Sequence, residues 1–373
     1  MSRVKNKTLI LMPYLPLAGY IKFDNLTLWS FEKHKETFIK DIPTKEHIEK
    51  LVKCYQYHNK KPIDNPSIVS ISGIHFSNPN NQSIKKIEAL KNILLVSGIL
   101  ENNSWSFVTS DNFEVFYQRF NIGDEGISTQ AGAINNILTG GYKISEVAFA
   151  KPEHTNIPFK LRLNGFVVNA LEDCLKNSSS NAIKSQIIQS LNPFFNAYRN
   201  SHEHSWASRI LLLIISFELL FGETGRSRFR NNIQKYSTLD SKFNPPTYKY
   251  PIYNRSVITS YEQLTLAQIW AEEFYKLRHK IIHGDTVYSD DFIFKDLIRV
   301  VKKREPHFYI AVNFFIVCLL NKLKELGYSR VPHLIINTEL KEDGFGKNIS
   351  GIKDETFKIQ DLDFYDLLSK NLA

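Results

Sequence analysis

Apolar residues along this chain follow two different rhythms. Up to about residue 175 they come in short runs separated by turn residues, and beyond Ser185 they recur every three or four positions. The first rhythm predicts strands at Thr8–Met12, Tyr20–Phe31, Ser67–Phe76, Trp105–Thr109, Asn112–Asn121 and Tyr142–Ala150. Alternation is clearest around Phe113, Val115 and Tyr117. Two helices interrupt the strands. Ser83–Leu100 carries Ile84, Ile87, Leu90 and Leu94 at helical spacing, and a second covers Phe166–Leu175. The polar run KNSSSNAIKS at 176–185 is the candidate boundary.

The second rhythm predicts a helical bundle. In SWASRILLLIISFELLFG, Ile210, Leu213, Phe217 and Leu220 share a face, and Gly222 sits where a helix stops. In SYEQLTLAQIWAEEFYKLRHKIIHG, Ser260 and Gln263 have capping-box spacing. Trp270, Phe274, Leu277 and Ile281 follow as a stripe, and Gly284 closes it. A third long helix enters after Pro306. The stretch between the first two reads as a long loop in which Tyr248, Tyr250 and Tyr253 alternate with Lys242, Lys249 and Arg255. Tyrosines among cations can stack bases and hold phosphates, or can simply pin a loop to the bundle. The expected fold is therefore α+β. A strand-rich domain spans 1–178, a helical bundle 185–327 and an appendage 331–373, the last with a hairpin around EDGFGKN and a terminal helix.

Composition narrows the classes. A chain of 373 residues with 43% hydrophobic content supports two folded domains. Cys54, Cys174 and Cys318 are far apart and form no Cys-x-x-Cys pair, which fits a reducing cytosol and no disulfide framework. The basic start and short apolar run near the N-terminus are broken by Pro13 and Pro16, unlike a signal peptide. Ile210–Phe221 and Phe308–Leu320 fall short of the ~20 residues that span a bilayer. A net charge of +9 suits a polyanionic partner.

Candidate chemistry centres on YKLRHKIIHGD, residues 275–285. His279 and His283 have the i, i+4 spacing that can chelate zinc, but Lys280 stands where a metalloprotease glutamate would be and no third ligand is evident. No metal or cofactor is expected. The glycine-bearing pieces GDEG, TGG and GETG match no phosphate loop, and no nucleophile elbow is present. Arg278 and His283 instead lie within about one and a half turns at a helix end. Histidine can exchange protons with a ribose 2′-hydroxyl or the leaving 5′-oxygen, and arginine can offset charge on the reacting phosphorus. DNA lacks that hydroxyl. A cation-rich helix terminus is the bland alternative. Arg199 and His204 repeat the spacing in a polar segment without the apolar helix or terminal glycine. Glu218 falls on an apolar stripe with Leu211, Ile214 and Phe221, where a carboxylate needs a partner or must reach the bundle edge. Arg278 is the candidate partner. Arg226, Arg228 and Arg230, together with Lys280, Tyr248, Tyr250 and Arg255, form a candidate RNA-binding set.

The segments SFELLFG and FYKLRHKIIHG resemble the HEPN superfamily, and within it the Apea-like domains of bacterial proteins linked to antiphage defence. The resemblance covers roughly 185–327 and rests on an aromatic-x-x-Arg-x4-His-Gly pattern. Arg278-His279-x3-His283 is also similar to the catalytic motif of RNA-guided CRISPR RNases. It implies a metal-independent endoribonuclease with a site shared between two such domains, hence a homodimer. Arg278 and His283 would be catalytic, His279 would orient the site and Glu218 would buttress it. The N-terminal domain would then sense a phage-derived or protein trigger. In toxins of the family silenced by nucleotidylation, a tyrosine stands two residues after the motif histidine; here that position is Asp285. The competing expectation is a non-catalytic HEPN module that binds RNA or a partner protein.

Overall fold

A computed structural model describes residues 5–40, 42–57, 59–74, 78–102, 108–123, 126–130, 160–199, 204–237, 247–254, 257–294, 305–332, 334–336 and 349–351. The chain is α+β and divides into two units: Met1–Glu172 with Tyr198–His202, and Asp173–Ala197 with Glu203–Ala373.

The first unit is built on an antiparallel sheet of six strands: β1 (Lys5–Met12), β2 (Tyr20–Phe23), β3 (Leu26–Ser30), β4 (Ser67–Ile71), β5 (Phe116–Gly123) and β6 (Gly126–Gln130). They lie in the order β2-β3-β4-β1-β5-β6. Helices α1 (Phe31–Phe38), α2 (Ile42–Val52) and α3 (Asn81–Asn102) belong to the same unit. Leu9 and Leu11 from β1 enter one core with Trp29, Ile68, Tyr14, Tyr55 and Phe116. The Trp29 indole N–H donates to Ser70 Oγ at 2.8 Å, so the largest core side chain leaves no orphan donor.

The structure corrects the expected strands in three places, each for a local reason. Tyr20–Phe31 is not one strand but β2 and β3 paired antiparallel around Asp24, whose φ of 51° puts it in the left-handed region that Asp tolerates. The strand at Ser67 stops at Ile71, because Ser72 and Gly73 both have positive φ. Asn112–Asn121 begins as a 3-10 turn at Ser110–Phe113, where the Asn112 amide oxygen accepts the Thr109 N–H at 3.1 Å. That local bond competes with a strand ladder. Tyr142–Ala150 and most of Trp105–Thr109 lie outside the described residues.

The division between units runs through α4 (Gly165–Lys176), earlier than the polar run at 176–185. Glu172 accepts the Asp24 N–H within the first unit. Asp173 takes the Tyr328 hydroxyl and pairs with Lys184 at 2.6 Å within the second. Adjacent residues of one helix thus bond within different units.

The second unit holds α5 (Ala182–Ala197), α6 (Trp206–Phe221), α7 (Arg226–Ser237), α8 (Leu266–His283) and α9 (His307–Glu325). Ser205 caps α6 by accepting the Ser208 N–H at 3.2 Å, and Gly222 ends it at φ 69°. That left-handed backbone is the reason for glycine there, since the nearest atoms a Cβ would meet are the mobile end of the Gln186 side chain. Phe315 of α9 stacks on Phe194 of α5 and meets Phe217 of α6 edge-on, and Trp270 stacks on Phe274 and Phe314. Helix α9 is long and apolar enough to cross a membrane, yet 83% of its apolar window is buried in the unit, as a core helix would be. Buried Lys322 donates to the Leu220 carbonyl in the last turn of α6, where a cation is favoured.

Residues 247–265 overturn the expected loop. Strands β7 (Thr247–Asn254) and β8 (Val257–Thr265) pair antiparallel over their whole length. Ser260 is therefore a strand residue, and the cap of α8 is Thr265, with Gln268 closing the capping box. Short strands β9 (Ile293–Phe294) and β10 (Glu305–Pro306) precede α9, whose N-cap is Pro306. Two further strands, β11 (Leu334–Ile336) and β12 (Ile349–Gly351), pair on either side of EDGFGKN. That heptapeptide and the expected terminal helix are outside the described residues.

Candidate functional site at the end of α8

The apolar stripe of α8 buries Trp270, Phe274 and Leu277, which fixes which side of the helix faces away from the core. Tyr275, His279 and His283 follow one another at i, i+4 and i+8 and form a ladder of rings. Tyr275 meets His279 edge-on, with centroids 5.8 Å apart. His279 and His283 are nearly parallel, at 8° and 5.4 Å. Both imidazoles are exposed. Gly284, at φ 73°, ends the helix directly after them, and the Asp285 N–H closes the last turn on the Lys280 carbonyl at 3.0 Å. The chain leaves the axis there, so His283 stands at an open helix end.

Arg278 is the partner that Glu218 needed. Its Nη2 lies 3.7 Å from Glu218 Oε1, with only 13% of the glutamate side chain exposed. The Tyr275 hydroxyl donates to the same oxygen at 3.1 Å, and the Arg278 guanidinium lies over the Tyr275 ring at 5.0 Å. Glu218 sits in the last turn of α6, where the helix dipole disfavours a carboxylate. Arginine and phenol offset that cost. Tyr275 thereby touches Glu218, Arg278 and His279 together, a role the sequence alone did not single out.

His279 titrates below the usual histidine range. Partial desolvation of the ring is the main cause, and the charges of His283, when protonated, Arg278 and Arg226 add to it. Neutral imidazole is thus favoured at this position. No three His, Cys, Asp or Glu side chains converge as a metal-holding set among the described residues.

The arginines after α6 are placed differently from one another. Arg226 and Arg230, i and i+4 on α7, both turn onto Glu272 of α8, which is 2% exposed. Arg226 is in direct contact with it. Arg230 lies 3.9 Å from its other oxygen and 2.9 Å from Glu262 on β8. These two side chains answer a buried carboxylate, which corrects their reading as an open phosphate-gripping pair. Arg228 points outward and is exposed. Lys280 is half-exposed and bonds Asp291 at 2.8 Å.

Tyr250 requires a plainer correction. It is fully buried, bonded to Glu273, and accepts Lys276 Nζ at 3.0 Å. A ring enclosed by the hairpin and α8 offers no face to a base. Tyr248 is half-buried on the same hairpin, and Arg255 lies outside the described residues. Glu272 is the residue whose importance sequence reasoning missed. The i, i+4 spacing of Arg226 and Arg230, beside the buried Phe229 and Ile233, was the available clue.

The second Arg-x4-His match is not gathered in the same way. Arg199 belongs with the first unit, where it lies 4.0 Å from Glu114, and His204 belongs with the second.

Comparison of the chain with protein-family models, with curated proteins and with solved structures gives no match.

Proposed function

We propose that the chain is a metal-independent endoribonuclease of the HEPN type, acting in the bacterial cytoplasm in antiphage defence or as a toxin. The observation that carries this reading is the end of α8: two exposed imidazoles beside an arginine held by a half-buried glutamate. Imidazoles can move the protons of transesterification, and the guanidinium can offset charge on a phosphate. Exposed Arg228 on the neighbouring helix and the net charge of +9 favour a polyanionic substrate. The first unit, with its separate core, is the candidate receiver of a phage-derived or protein trigger.

The test is cleavage of total RNA by purified protein in the presence of EDTA. Cleavage is expected to survive chelation and to leave 2′,3′-cyclic phosphate or 3′-phosphate ends. Strict Mg²⁺ dependence with 5′-phosphate products would sink the mechanism. The second reading, a HEPN module that binds RNA or a partner protein without cutting, draws on the Arg278–Glu218 pair, which could serve structure alone. It predicts binding with no cleavage.

We further propose a homodimer through the helical unit. Ile215 lies one turn from Glu218 on α6 and is 45% exposed, and Ile282, beside His283, is 51% exposed. A two-fold pairing at this end would bring a second Arg278 to the phosphate. Light scattering should give twice the chain mass, and Ile282→Asp should shift it toward monomer with loss of activity. A wild-type monomer cleaving at full rate at assay concentration would refute the shared arrangement.

A further inference from the structure

General acid–base cleavage of RNA needs one group to take the 2′-hydroxyl proton and another to protonate the leaving 5′-oxygen. The usual difficulty for a site with one histidine is that both tasks fall on it. This chain has two imidazoles on one helix face. They are parallel at 8°, 5.4 Å apart and both exposed, with His279 braced on its other side by Tyr275. Two groups so placed can reach the two oxygens of a single phosphate. From this geometry we infer that His279 and His283 of one chain form the complete acid–base pair, with His279 as the base and His283 as the acid. The inference rests on the ribonuclease reading above.

The step balances without a co-reactant. His279 takes the 2′-hydroxyl proton as the 2′-oxygen bonds to phosphorus. The bond from phosphorus to the 5′-oxygen breaks, and His283 supplies the proton to that oxygen. The products are a 2′,3′-cyclic phosphate and a 5′-hydroxyl, and the pair is left with its proton moved from His283 to His279. Exchange with solvent restores the starting state.

The assignment of roles follows from the surroundings of His279. Arg226 faces it from α7, and Arg278 and His283 face it from α8. Glu218 of α6 is committed to Arg278 and Tyr275. Partial desolvation and these three charges disfavour the protonated form of His279 when its neighbour carries the proton. Two adjacent imidazoles repel when both are charged, so a proton on His283 disfavours one on His279.

Two measurements on the full-length protein test the pair. The first is independent of catalysis: histidine titration followed by NMR, in the wild type and in His283→Gln. Removing the neighbouring charge should raise the His279 midpoint. An unmoved midpoint would overturn the coupling, whatever the activity. The second is the pH–rate profile on a defined oligoribonucleotide. The wild type should give a bell, and His279→Gln should lower kcat/KM by about 10²–10⁴-fold and remove the limb that rises on the acid side. If the wild type cleaves and His279→Gln keeps the whole bell, at full or uniformly reduced rate, His279 is not the base, while the ribonuclease reading stands. A wild type that cleaves no RNA would defeat that reading itself.

Discussion

Arg278→Ala and His283→Ala should each lower RNA cleavage by about 10²–10⁴-fold, the range expected for loss of a positioned proton donor or a charge-stabilising group. Growth toxicity should disappear with the activity. The cost to folding differs between the two. His283 is exposed at the end of α8, so its loss should leave the melting temperature nearly unchanged. Arg278 is tied to Glu218, so its loss leaves a carboxylate that is 13% exposed with the Tyr275 hydroxyl but without that cation, and should lower the melting temperature by a few degrees, roughly 1–2 kcal/mol. Arg278→Lys is the informative companion. It keeps a charge near Glu218 but loses the fork, so stability should recover further than activity. The control is Arg199→Ala with His204→Ala, which should cleave RNA as the wild type does. An inactive control beside active Arg278 and His283 variants would move the site to the other motif.

The largest expected effect on stability lies elsewhere. Glu272→Ala should destabilise the helical unit by about 3–5 kcal/mol, because it leaves Arg226 as a half-buried cation without its carboxylate and takes from Arg230 the more distant of its two acidic partners. At roughly 2–4 °C per kcal/mol for a domain of this size, the melting temperature should fall by about 10 °C. Thermal unfolding followed by circular dichroism checks this. Replacing all three residues with apolar ones of similar volume should recover much of the loss, since a buried ionic cluster is costly to break by halves and often neutral to replace whole. A Glu272→Ala protein with wild-type unfolding would show that the cluster is not load-sharing between α7 and α8.

How much of this could be read from the chain depended on whether the deciding interactions were local. Helix α6 was legible from Ser205 to Gly222, because its cap, its apolar face and its left-handed stop all lie within its own sequence. The pairing of Glu218 with Arg278 was legible for a related reason: a carboxylate on an apolar face demands a cation, and the next long helix offered one. The hairpin was not. Pro251 within β7 and the mixture of tyrosines with cations resembled a loop, yet a two-stranded ribbon has free edges that accommodate proline. The start of α8 shows the limit most clearly. Ser260 with Gln263 and Thr265 with Gln268 have the same capping spacing five residues apart, and pairing of β8 with β7 selects the second. Glu272 escaped because its burial depends on α7 and the hairpin, elements it meets only in the folded unit.

The central claim is that RNA is cut by attack of its own 2′-hydroxyl, driven by the imidazoles at the end of α8. It is tested most directly with one oligoribonucleotide in two forms, the second with a single 2′-deoxy nucleotide at the mapped cleavage position, both incubated with wild-type protein in EDTA. The account predicts that the ribose form is cut to a 2′,3′-cyclic phosphate and that the substituted form is intact at that position. Equal cleavage of the two at the same bond would contradict it.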